Sequence, residues 1–212
     1  MYAMNCTRPY IAFVIGMLSR FTSNLGKPHW DVIQRLIIYL KGTMSTGLFY
    51  TGYPTVIEGF SDASWCSEPD KCRSTGGFIY IMGGAAVSWK SKKQTAVAQS
   101  SMESEFYALA VAGEEAEWLS YFLRDLPLKE LQGAITIFCD NQATSVVAAN
   151  SLFNGKKRTI RLKHGYINEL ISHGVISVID VRSSENIADP LTKGLKRDLV
   201  EKASAGMGLR LL

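Results

Sequence analysis

Four carboxylates stand where a carboxylate needs a reason. Asp62 falls inside an apparent strand, where Asp is depleted, and by strand alternation it shares a face with Phe60 and Val56. Glu105 lies on a long amphipathic segment, and steps of three and four from it reach Leu109, Ala112, Ala116, Leu119 and Leu123, an apolar stripe. A lone carboxylate on such a stripe is costly unless something pairs with it. Asp140 follows the apolar run 135–139, at the kind of strand end where α/β sheets gather ligands. Asp189 precedes Pro190 near the end of the chain. Each has an ordinary alternative. Asp62 could close a strand, and Glu105 could be a first-turn carboxylate favoured by the helix dipole; Asp140 and Asp189 could cap helices. Taken together they suit phosphodiester hydrolysis, which needs an activated water on one side of the phosphate and a stabilised leaving oxygen on the other. Two Mg²⁺ ions roughly 4 Å apart supply both, and a few carboxylates from separate elements suffice to hold them.

Two basic clusters accompany the acids. Lys90, Lys92 and Lys93 form one; Lys156, Lys157, Arg158, Arg161 and Lys163 form the other. Such clusters supply the phosphate contacts that dominate nucleic-acid affinity, although a solvated surface has the same composition. The formal net charge of +4 is compatible with nucleic acid and does not argue for it alone. His29, His164 and His173 are scattered, and none is assigned to a metal. The four cysteines form no C-x-x-C pair, which argues against zinc; they read as free thiols of a reducing compartment. Trp30, Trp65, Trp89 and Trp118 read as core, and Glu114, Glu115 and Glu117 as a solvated helix face.

The elements that must position these residues follow from periodicity. Residues 1–50 read as helical, with a stripe at Ile11, Val14, Ile15 and Leu18 and a second helix over 29–41. From residue 56 strands begin: 56–65, then 76–82 and 85–89 joined by the turn Gly83-Gly84. A helix over 101–124 follows, then a strand 134–139, helices 143–149 and 160–171, a strand 175–181 and a short helix or turn 187–195. Strands first, then alternation, predict a mixed sheet with helices packed on it. No apolar run reaches the roughly 20 residues of a membrane span, and the N-terminus lacks the pattern of a secretion signal; it reads as the interior of a longer segment.

The segments GFSDASW (59–65), RSTGGFIY (73–80), AVSWKSKKQTAVAQSSMESEFYALA (86–110), FCDNQAT (138–144) and ENIADPLTKGL (185–195) resemble the ribonuclease H domain of copia-type plant retrotransposon Pol polyproteins. TRPYIAFVIGMLSRFTSN (7–24) and the stretch 29–43 resemble the tail of the adjoining reverse transcriptase, and LVEKASAGMGL (199–209) continues the similarity. The resemblance implies a five-stranded mixed sheet flanked by helices. It implies a reverse transcriptase tail over 1–50, a ribonuclease H domain over 55–198 and a C-terminal tail over 199–212. Motif by motif, the catalytic, metal-holding acids fall on Asp62, Glu105, Asp140 and Asp189, with two Mg²⁺ ions (or Mn²⁺) as cofactor. Lys90, Lys92, Lys93, Arg158, Arg161 and Lys163 are the candidate nucleic-acid contacts.

The implied activity is cleavage of the RNA strand of an RNA–DNA hybrid during reverse transcription, in cytoplasmic virus-like particles or the nucleus, beside the upstream reverse transcriptase and without a membrane or secretion. The alternative is a catalytically silent nucleic-acid-binding remnant. Three departures stand out: no His lies in 182–186 ahead of the last Asp, where many ribonucleases H carry one although copia-type enzymes often lack it; Thr159 replaces a usual His; and Tyr10 replaces an expected Asp.

Overall fold

A computed structural model describes residues 2–68, 73–126, 133–150 and 158–211. Lys156 and Lys157 lie outside the described residues, as do the side chains of Arg158 and Thr159. The helices are α1 (Tyr2–Cys6), α2 (Ala12–Leu18), α3 (Lys27–Gly42), α4 (Ser101–Arg124), α5 (Gln142–Ala149), α6 (Arg158–Ser172) and α7 (Arg197–Gly206). The strands are β1 (Thr46–Leu48), β2 (Glu58–Glu68), β3 (Arg73–Met82), β4 (Ala85–Lys93), β5 (Ile135–Cys139), β6 (Ile176–Asp180) and β7 (Leu209–Leu211).

The central sheet has five strands in the order β4-β3-β2-β5-β6, the mixed sheet flanked by helices that was expected. β2, β3 and β4 run antiparallel, while β5 pairs parallel to β2 and β6 parallel to β5. The β3–β4 connection is the Gly83-Gly84 turn, with φ of +60° and +83°; a two-residue hairpin turn of this type needs positive φ at both positions. On one face α4 covers the sheet through Phe106, Leu109, Ala110, Ala112 and Ala116, which pack with Phe78, Tyr80 and Ile137. Small residues bring that helix close: the Tyr80 hydroxyl donates to the Ala112 carbonyl at 2.6 Å. α6 then seats against α4 at Gly113, where a Cβ would stand 2.8 Å from the Ile167 side chain.

The other face is covered by the two ends of the chain. Tyr10, Ile11 and Ala12 pack with Ile79, Ala86, Leu191, Met207 and Leu209. Tyr10, in place of the expected Asp, is buried and meets Tyr39 edge-on at 5.4 Å. Thr46–Leu48, within the stretch taken as helical, is instead strand β1, and it pairs antiparallel with β7. Neither strand has the length for a periodic signal, and the pairing joins positions more than 160 residues apart, from Thr46 to Leu211.

Three other expectations are corrected. Cys66 is disulfide-bonded, whereas Cys6 and Cys139 are free. The β2–β3 pairing extends past Cys66 to Glu68↔Arg73, and Cys72 lies outside the described residues. Trp30, Trp65 and Trp118 are exposed rather than core, because the α3 and α4 faces that carry two of them pack on nothing described. Glu115 and Glu117 are partnered: Glu115 accepts from Ser88 Oγ at 2.6 Å and Glu117 from the Tyr166 hydroxyl at 2.8 Å.

Candidate metal centre

The strand register assembles the site. β2 and β5 run parallel with Phe60 opposite Phe138 and Ser61 opposite Cys139, so the next residues along are Asp62 and Asp140, side by side. Asp189 opens the single 3-10 turn Asp189–Leu191, and Pro190 fits the second position because the N–H groups of the first turn have no partner within the helix. Carboxylate oxygens of Asp62, Asp140 and Asp189 lie within 4.8 Å of one another. Glu105, in the second turn of α4, stands outside that group of three but adjacent to it: it accepts a hydrogen bond from the Ala63 backbone N–H and feels the charges of Asp62 and Asp140.

The electrostatics are those of crowded, buried acids. Asp62 is 1% exposed, and burial pushes its pKa up to about 7, aided by Asp189 and Asp140 and opposed by Lys193. Burial, then the charges of Asp62 and Asp140, push Glu105 up to about 9. Burial also raises Asp189, against the pull of Lys193.

Several side chains around the acids were not singled out from the sequence. Lys193 places its ammonium 2.9 Å from Asp189 Oδ1 and 3.8 Å from Asp62 Oδ2. Burial lowers its pKa, but the two carboxylates more than offset this. Thr192 donates its hydroxyl to Asp62, and Ser183 donates to Asp140. Asn186 donates to the Ser61 carbonyl at 2.9 Å and accepts from the Ala188 N–H at 3.1 Å, tying the turn that carries Asp189 to the strand that carries Asp62. Its position three residues before Asp189-Pro190 is a turn signal that could have found it. Lys193, four residues after Asp189, was likewise legible as an i,i+4 partner.

The residues fit a divalent metal. The donor set is all carboxylate oxygen, which hard divalent cations take. Glu105 Oε2 and Asp140 Oδ1 are buried and accept no hydrogen bond among the described residues, an arrangement that is costly unless a cation satisfies them. One lysine ammonium among four acids leaves negative charge in excess.

Gly77, the cross-strand partner of Asp62, holds the turn against the sheet. A Cβ there would stand 2.7 Å from Leu191 Cβ and 3.1 Å from Thr192 Cγ2. Gly77→Ala is therefore expected to destabilise the chain by about 1–3 kcal/mol through overpacking, and to shift Thr192 and Asp189 away from Asp62. Urea unfolding checks the first effect; a variant as stable as the parent would show that the turn yields freely.

Glu103 departs from the expectation that its stripe reaches solvent. It is 4% exposed, less than Glu105 at 7%. Ser100 caps α4 by accepting from the Glu103 N–H at 3.2 Å, and Glu103 Oε2 accepts from the Gln99 N–H at 2.8 Å, close to a reciprocal capping box. The loop ahead of the helix covers it.

The basic residues regroup. Lys90, Lys92 and Lys93 of β4 line one cavity with Lys163 of α6, two clusters that are far apart in sequence. Arg161, two residues before Lys163, lines a different hollow with Leu162, Gly165, Tyr166 and Glu169. Residues two apart on a helix point to different sides, which separates the pair.

No protein-family model matches the chain. The retrovirus-related Pol polyprotein from transposon TNT 1-94 of Nicotiana tabacum is 34% identical over 209 residues, 99% of this chain and 16% of that protein. The one from transposon RE2 of Arabidopsis thaliana is 31% identical over 204 residues, 96% of this chain and 14% of that protein. Secreted RxLR effector protein 161 of Plasmopara viticola is 43% identical over 121 residues, 57% of this chain and 85% of that protein.

Among solved structures, LC11-RNase H1 aligns with a TM-score of 0.50 at 16% identity, covering 70% of this chain and 98% of that one. A foamy viral protease-reverse transcriptase aligns with a TM-score of 0.53 at 14% identity, covering 86% of this chain and 30% of that one. The fold is that of ribonuclease H. The chain belongs to the retrotransposon Pol polyprotein family, and it spans only 14–16% of the length of the two Pol relatives. Among the described residues no helix is long and apolar enough to cross a membrane.

Proposed function

We propose that this chain cuts the RNA strand of RNA–DNA hybrids, with Asp62, Glu105, Asp140 and Asp189 holding two Mg²⁺ ions that Mn²⁺ could replace. The observation that carries the reading is the convergence of Asp62, Asp140 and Asp189 from a strand, a strand end and a turn, with Glu105 of α4 beside them and with Glu105 Oε2 and Asp140 Oδ1 buried and accepting no hydrogen bond among the described residues. When bound, the ions supply an activated water and stabilise the leaving oxygen. The chain's own residues fix the ligands: Thr192 and Lys193 orient Asp62, Lys193 orients Asp189, Ser183 orients Asp140, and the Ala63 N–H orients Glu105. Lysines beside the site bind phosphates of the hybrid.

In this reading residues 1–50 are the tail of a reverse transcriptase, 55–198 the ribonuclease H domain and 199–212 a C-terminal tail. The partner is the polymerase part of the same polyprotein, and the setting is a virus-like particle or the nucleus, not the secreted space. The test is cleavage of an end-labelled hybrid in Mg²⁺ and in EDTA, beside duplex DNA and duplex RNA. Cutting of the RNA strand of the hybrid alone, abolished in EDTA, is the expected result. Hybrid binding without cleavage would instead make the chain a silent binding remnant, and cleavage of duplex DNA would make it a DNA nuclease.

A further inference from the structure

The lysine cavity sits on the α4 side of the edge strand β4. Its volume is about 190 Å³, and it is lined by Gly76 and Phe78 of β3, Tyr107, Ala108 and Val111 of α4, and the four lysines. Lys90 and Lys92 are exposed and sit at i and i+2 of a strand, about 6.6 Å apart along it, a step comparable with that between neighbouring phosphates of one nucleic-acid strand. Lys163 comes in from α6 with its ammonium 5.7 Å from the centre of the Tyr107 ring. One carboxylate, Glu114, shares the lining, so positive charge dominates.

The basic surface does not stop at the cavity. On the opposite side of β4 a cleft is lined by Phe13, Gly16, Ser19 and Arg20 of the N-terminal segment and by Ser91, Lys92 and Lys93. Lys92 and Lys93 belong to both hollows, so the charge runs from Arg20 over the end of the edge strand to Lys163. This band lies beside the carboxylates. Gly77, in the cavity lining, pairs across the strands with Asp62, and Ala108, also in the lining, lies three residues after Glu105 on the same side of α4.

The geometry points to one continuous track for the sugar–phosphate backbone of the substrate duplex, formed by Lys163, Lys90, Lys92, Lys93 and Arg20. In this assignment the N-terminal segment, whose sequence resembles a polymerase tail, contributes directly to holding the substrate of the carboxylate site. Arg161 is left outside the track. The assignment rests on the hybrid-cleavage reading for the identity of the duplex.

The test uses the full chain carrying Asp62→Asn, so that bound hybrid is not cut, and follows a fluorescein-labelled hybrid by anisotropy between 50 and 200 mM salt. Replacing Lys90, Lys92 and Lys163 together with Ala is expected to weaken binding and to flatten the log–log salt slope by about 0.9 or somewhat less for each phosphate no longer neutralised. Arg20→Ala alone is expected to flatten it by no more than the equivalent of a single phosphate. Arg124→Ala, at the far end of α4, is the control for net charge. Unchanged melting temperatures show that the variants fold.

A triple variant with the parent's slope overturns the track, and so does an Arg124→Ala variant that flattens the slope as much as Arg20→Ala. An unaltered slope in Arg20→Ala alone removes the N-terminal half of the inference. Cleavage is scored separately with Asp62 intact. A chain that binds through these lysines but never cuts leaves the track standing and sinks the nuclease reading; a chain that cuts but has an unaltered slope does the reverse.

Discussion

Asp62→Asn is expected to abolish hybrid cleavage and, in EDTA, to make the folded chain more stable. The first effect follows from removing a direct metal ligand. Partners that merely orient a ligand already cost about 10–100-fold when removed, so a fall of at least about 100-fold is expected. The second follows from burial. Asp62 is almost fully buried among like charges, and its pKa in the folded chain is pushed up to about 7 from an ordinary value of 3.8. Between those two values the folded chain holds a proton that the unfolded chain releases. The unfolded state therefore binds fewer protons, and stability falls as pH rises across this window. Glu105, pushed up to about 9 from 4.5, extends the same slope to higher pH.

Asn keeps the shape and carries no charge, so its advantage over Asp should be small near pH 4 and full above pH 7. In a chain of this size about 1 kcal/mol moves Tm by roughly 2–4 °C, so the gap should be easily measured. The measurement is thermal melting of parent and variant in EDTA at pH 4.5 and 7.5. A gap that does not widen with pH would mean that Asp62 is not carrying an unfavourable buried charge. Adding Mg²⁺ should then raise the Tm of the parent and leave that of the variant nearly unmoved.

How far the sequence foretold this arrangement depends on how local each signal is. α4 was legible from its unbroken apolar stripe, and the Ser cap and first-turn acid that fix its start are also written within 25 residues. The β3–β4 hairpin was legible from two glycines, since few other residues accept positive φ at both positions. Asp62, Asp140 and Asp189 could each be suspected, but their meeting depends on the register of two parallel strands and the seat of one 3-10 turn, neither of which has a local signature.

What stayed hidden was set by contacts between distant segments. The β1–β7 pair is three residues long, and its hydrogen bonds are its only signal. The burial of Glu103 comes from the loop ahead of α4 rather than from the helix itself, so stepping along the helix could not reveal it. The separation of Arg161 from Lys163 was available in principle from the helical repeat. The union of Lys163 with Lys90 and Lys92 was not, because it requires α6 to lie across α4.

Glu105→Gln is expected to abolish cleavage, whereas Glu103→Gln should leave it nearly intact although both side chains are buried. The contrast rests on what each carboxylate touches. Glu105 has a buried oxygen with no hydrogen-bond partner among the described residues and lies close enough to Asp62 and Asp140 to feel their charges, and an amide there loses the charge that holds a cation. Glu103 spends its oxygens on the Gln99 N–H and the Tyr107 hydroxyl, at 2.8 and 3.3 Å. A Gln can still accept from a backbone N–H at the third position of a helix, the alternative residue of the capping box.

Glu103→Ala separates the roles further. It should leave the Ser100 cap in place, remove the bond to the Gln99 N–H and lower stability by about 1 kcal/mol, with activity retained at temperatures where the variant is folded. Circular dichroism melts and hybrid cleavage on the same preparations decide the matter. If Glu103→Gln were inactive while folded, the acid of the metal site would lie two residues earlier on α4. If Glu105→Gln still cut hybrid in Mg²⁺, Asp62, Asp140 and Asp189 would hold the ions without it.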